Sequence, residues 1–136
     1  MEDLKETARI GFMGDFEVFI YTDDSVYVPH FHVVDKMTRG KEFNSCVGLE
    51  NSQYLFHRNH NDGLNPLQRK MLNDFMHMPC RNVHYRNNYE CAIDMWNMNN
   101  DEGCAIPKHD ESGDIVVPNY SEIVDCTNTT LKRKNK

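Results

Sequence analysis

The stretch Val26-Tyr27-Val28-Pro29-His30-Phe31-His32-Val33-Val34-Asp35 decides how the rest of the chain is read. β-Branched and aromatic residues dominate it, and Pro29 is tolerated at a strand start or a sheet edge, so the stretch reads as a β-strand. Side chains on a strand alternate between faces, which sets His30 and His32 on one side, roughly 7 Å apart, and Phe31 with Val33 on the other. The pattern predicts a pair of imidazoles presented outward from a sheet that is anchored through its apolar face.

The neighbouring segments supply the sheet. Phe16-Glu17-Val18-Phe19-Ile20-Tyr21 is strand-like, and Asp23-Asp24-Ser25 after it is turn-forming, so an antiparallel hairpin with the histidine strand is the economical pairing. Residues 8–13 read as a short extended segment broken by Gly14. Beyond the turn Met37-Thr38-Arg39-Gly40-Lys41, the run Phe43-Asn44-Ser45-Cys46-Val47-Gly48-Leu49 alternates with period two, placing Phe43, Ser45, Val47 and Leu49 on one face. Gln53-Tyr54-Leu55-Phe56-His57 is a further strand candidate.

The period then changes. Asn65-Pro66-Leu67-Gln68 is a helix start, with Asn as the cap, Pro at the first helical position and Gln placed to reach back. Leu67, Met71, Leu72, Phe75 and Met76 follow at helical spacing until Pro79. Asn87-Asn88-Tyr89-Glu90 repeats the capping pattern before a stripe of Tyr89, Ala92, Ile93 and Trp96. The expected fold class is α+β: a three- or four-stranded antiparallel sheet with two helices packed on one face and an extended C-terminal arm. Residues 1–100 form the domain in this reading. Residues 101–124 form an arm partly packed on it yet separable from its folding, with Tyr120 tucked in, and residues 125–136 a disordered basic tail.

At 136 residues the chain is one domain's worth, long enough to bury a core. Its formal charge of −6 argues against a nucleic-acid partner, because affinity for phosphates needs a basic surface. No run of about eighteen apolar residues suggests a membrane span, and Met1-Glu2-Asp3-Leu4-Lys5-Glu6-Thr7 is too acidic for an export signal, so a cytoplasmic location is expected. Cys46, Cys80, Cys91, Cys104 and Cys126 are odd in number and lack C-x-x-C spacing, and they read as reduced thiols. A zinc site from Cys80, Cys91 and Cys104 has no spacing to support it.

Four histidines could carry chemistry: His30 and His32 on the strand, and His57 and His60 in Phe56-His57-Arg58-Asn59-His60. If the two groups converge, with Asp35 or Asp62 adding a carboxylate, they could hold a divalent transition metal such as iron, zinc or manganese and activate a water for hydrolysis. The plainer reading, that His30 and His32 are rim residues with no cofactor, is favoured, since a short H-x-H is common. Cys46, one position off the apolar face, reads as an inert thiol. No G-x-S-x-G turn or phosphate-binding glycine loop occurs. Met95, Met98 and Tyr120 are candidates for partner contact, because Met and aromatic residues are enriched at interfaces.

The order Pro29-His30-Phe31-His32-Val33, Tyr54-Leu55-Phe56-His57, Leu64-Asn65, Trp96-Asn97-Met98-Asn99-Asn100 and Pro118-Asn119-Tyr120 resembles a family of short uncharacterised bacterial and phage proteins with a Pro-His-Phe-His signature, some encoded beside toxin–antitoxin loci. The resemblance spans about residues 16 to 123. It implies an α+β fold and a bacterial or phage setting, and it carries no established activity. The residues 107–114 and the basic tail depart from it. The leading expectation is therefore a cytoplasmic protein-binding module that captures another protein. The alternatives are a metal-dependent hydrolase or nuclease with a His-rich surface site, and an antitoxin-like regulator.

Overall fold

The computed structural model of the chain describes residues 7–21, 29–49, 62–81, 84–98 and 116–123. Four strands, β1 (Thr7–Met13), β2 (Phe16–Tyr21), β3 (His30–Asp35) and β4 (Asn44–Gly48), form one antiparallel sheet in the order β1-β2-β3-β4. Each strand pairs with the next in sequence, so the sheet is a meander. Residues 8–13, expected to be a short extended segment, lie within β1 and supply the outermost strand. The strand candidate at residues 53–57 lies outside the described residues, as do residues 26–28 of the histidine stretch.

Register decides which side chains share a face. Val18 lies opposite Val33, and Phe31 lies opposite Val47, so Val18, Ile20, Phe31, Val33, Ser45 and Val47 occupy one face, all buried. α1 (Pro66–His77) lies on it, and α2 (Asn88–Met98) packs beside α1 and against β1 and β2. The contact with β1 is close, because a Cβ built on Gly11 would lie 2.9 Å from the Phe75 ring. Glycine is what lets α1 settle on that strand. Leu72, Phe75 and Met76 from α1, with Tyr89, Ala92, Ile93 and Trp96 from α2, complete the core. The α+β architecture is the one the periodicities predict.

Helix starts follow the local chemistry. Gln68 N donates to Asn65 Oδ1 at 2.7 Å, and Asn65 N donates to Gln68 Oε1 at 2.8 Å, so two otherwise orphaned donors at the head of α1 are satisfied reciprocally. At the second helix, Glu90 N donates to Asn87 Oδ1 at 2.8 Å. Leu67 departs from its expected place in the apolar stripe and is exposed. It lies five positions before Leu72, about 140° around the helix, and so faces solvent.

Part of the expected arm is integral to the core. Residues 116–119 lead extended into a 3-10 turn, Tyr120–Glu122. The Tyr120 ring packs edge-on against Phe31 at 5.6 Å, its hydroxyl donates to Leu49 O at 2.6 Å, and its backbone N–H donates to Asn73 Oδ1 at 2.8 Å. Tyr120 and Ile123 are buried. The expected arm is thus packed on the domain at this segment, with Tyr120 tucked in between β3, the end of β4 and α1. No described helix is long and apolar enough to cross a membrane.

Candidate metal centre

The opposite face of the sheet is divided between a wet end and a dry end. At the wet end Arg9 pairs with Glu17 at 2.8 Å and stacks over Phe12, whose ring is exposed. At the dry end stand His30, His32 and Cys46, with 1%, 3% and 2% of their surface exposed. The two imidazoles share a face, as the alternation requires. The expectation that they are rim residues presented outward is overturned, because both are core residues, and a His-rich surface site is not what they make.

Three local features bring the dry end together. His30 and His32 sit two positions apart on β3, with ring centroids 5.3 Å apart. Cys46 lies directly across from His32 on β4, and Gly48 lies across from His30. Aromatic walls close the group: Phe19 stacks on His32 at 5.5 Å, and Trp96 meets His30 edge-on at 5.3 Å. One ligand atom from each of His30, His32 and Cys46 falls within 4.8 Å of the others.

The orientation of His32 is fixed from outside the group. Its Nδ1 lies 2.9 Å from Asn44 Oδ1. An amide oxygen only accepts, so Nδ1 carries the proton and the lone pair belongs to Nε2, which is sealed from solvent. Asn44 is itself held: its backbone N–H donates to Asp62 Oδ2 at 2.7 Å, and its carbonyl accepts from Asp62 N at 3.2 Å. A chain of orienting contacts of this kind, ending in a histidine with a directed lone pair, is how metal-binding imidazoles are held.

The carboxylates expected to complete the set are engaged elsewhere. Asp35 lies on the helix-covered side of β3 and accepts from Thr38 N, Thr38 Oγ1, Gly40 N and Phe43 N. Asp62 supports Asn44. The third candidate donor is instead the Cys46 sulfur, which reads as an inert thiol in sequence. Two imidazoles and a thiolate suit zinc or copper, whereas magnesium and calcium take oxygen ligands. Tetrahedral bonds of about 2.0 Å to nitrogen and about 2.3 Å to sulfur set donors roughly 3.5 Å apart, so donors up to 4.8 Å apart would close by at most about 1.3 Å.

His57 and His60 lie outside the described residues. Of the residues expected to contact a partner, Tyr120 is buried, Met95 packs partly against the core, and Met98 is 69% exposed at the end of α2. Single exposed apolar side chains are ordinary on folded surfaces. His77 and His84 are exposed. No protein-family model, curated protein or solved structure matches this chain.

Proposed function

We propose that this chain is a metal-binding α+β protein in which His30, His32 and Cys46 hold a transition-metal ion of the zinc or copper class. The observation that carries the reading is the meeting of three potential donor atoms from two adjacent strands within 4.8 Å, all on buried residues. Burial favours holding an ion over turning over a substrate, since a hydrolytic site keeps a position open to water. An ion here would staple β3 to β4, and because ligands assemble only in the folded chain, its binding energy would add to folding. The reading takes the protein to work in a reducing, cytoplasmic setting, supported by Cys80 and Cys91 being unbridged thiols.

The test is metal content and thermal stability of the untagged chain, purified under reducing conditions and then loaded with zinc or copper(I). A stoichiometric ion that survives desalting, raises Tm, and is lost in Cys46→Ser supports the proposal. A folded chain that retains neither metal after loading overturns it.

A further inference from the structure

Two further cysteines, Cys80 and Cys91, lie in the helical part of the fold. The start of α2 is tied to the end of α1: Asn88 N donates to Met78 O at 3.0 Å, and the buried Asn88 Nδ2 donates to Phe75 O at 2.7 Å. Cys80 lies two residues beyond Met78, and Cys91 lies three beyond Asn88, one turn into α2. The tie holds the two segments together, and the Cys80 sulfur lies close enough to Cys91 to raise its thiol. Both are free thiols.

Their surroundings differ in a way that sets an order of reaction. Cys91 is buried, while Cys80 is half-buried at the edge of the core, in a segment outside helix and sheet. Burial, the neighbouring sulfur and the Asp94 carboxylate all push the Cys91 thiol up, so it keeps its proton at neutral pH. Asp94 is fixed beside the pair by a short hydrogen bond from the Tyr85 hydroxyl. Cys80 is the sulfur a small oxidant can reach. Its backbone is not bound into a helix, so the Cβ can turn toward Cys91 and meet disulfide geometry without unwinding α2.

We propose that Cys80 and Cys91 are a redox modification site, oxidised by hydrogen peroxide to a reversible disulfide that bridges the segment after α1 to the first turn of α2. The chemistry runs in two steps. The Cys80 thiolate attacks one peroxide oxygen, the O–O bond breaks, and the departing hydroxide takes a proton to become water, leaving Cys80 as a sulfenic acid. The Cys91 sulfur then attacks the Cys80 sulfur, the S–O bond breaks, and the second oxygen leaves as water with the Cys91 proton. Two thiols lose two electrons, and one peroxide is reduced to two waters. Metal occupancy at the histidine centre is not required.

The test uses the full chain, reduced, desalted and treated with hydrogen peroxide, followed by peptide mapping without reductant. The expected product joins the peptide bearing Cys80 to the one bearing Cys91 and is cleaved by dithiothreitol. Cys104 shares a tryptic peptide with Cys91, so fragment spectra must place the bond on Cys91. In Cys91→Ser the reaction is expected to halt at a Cys80 sulfenic acid, captured by dimedone. Bridges formed mainly to other cysteines, or a treated wild-type chain in which Cys80 and Cys91 remain unbridged, would overturn the proposal.

Discussion

Asn44 shows how much of the candidate centre depends on a residue that is not itself a donor. Its amide oxygen holds the proton of His32 on Nδ1 and leaves the lone pair on the buried Nε2. Asn44→Ala is therefore expected to weaken zinc binding by roughly 10–100-fold with little change in the far-ultraviolet dichroism of the fold. A competition titration against a chromophoric chelator checks it, and unchanged affinity would remove Asn44 from this role. At this level the sequence was half legible. Alternation alone put His30 with His32 and set Cys46 off the apolar face, but the partner of His32 across the sheet depends on a hairpin register that no single strand records. That is why Cys46 reads as an inert thiol in sequence and as a donor in three dimensions, and why Asp35, close in sequence, serves the other face.

Between β3 and β4, the eight-residue connection is organised by one carboxylate. Asp35 gathers Thr38, Gly40 and Phe43 around itself, while Arg39 and Gly40 take left-handed backbone with φ of 56° and 93°. The turn so fixed sets the register that places Cys46 opposite His32. Hydrogen bonding, above all from the Thr38 hydroxyl, holds the Asp35 carboxyl below its ordinary value of 3.8. A depressed folded-state pKa means the stabilisation is present above 3.8 and is lost as pH falls through the lower folded value. Asp35→Asn should thus melt below the wild type at neutral pH, and the difference in Tm should shrink as the pH is taken below 3.8. A pH-independent difference would mean that packing, not charge, is what the substitution removes. Helix ends were the most legible elements, because capping chemistry is local: Asn65, Pro66 and Gln68 announce α1 in sequence and do in structure what their types allow. The outermost strand was harder to read, since Gly11 and the register shift between Arg9 and Gly11 interrupt the alternation of β1.

Long-range closure of the fold runs through Tyr120, which links β3, β4 and α1 from a position 71 residues beyond its hydrogen-bond acceptor Leu49. Tyr120→Phe should cost about 1–3 kcal/mol by leaving the Leu49 carbonyl without its donor, and Tyr120→Ala about 3–5 kcal/mol by adding a cavity. Denaturant titration separates the two, and a Tyr120→Ala chain as stable as the wild type would return residues 116–123 to the status of a detachable arm. Sequence alone has Tyr120 tucked in, as it is, but nothing local in Pro118-Asn119-Tyr120 announces the hole it fills, because that hole is made by distant segments. The same sheet that Tyr120 closes on one side carries the histidine and cysteine donors on the other, so ion binding and folding should be linked. Titration of the reduced, untagged chain with cobalt(II), a spectroscopic stand-in for zinc, reads this centre directly. One cobalt per chain with a sulfur-to-metal charge-transfer band that disappears in Cys46→Ser is the predicted result; saturation with no such band, or a band that persists in Cys46→Ser, would contradict it.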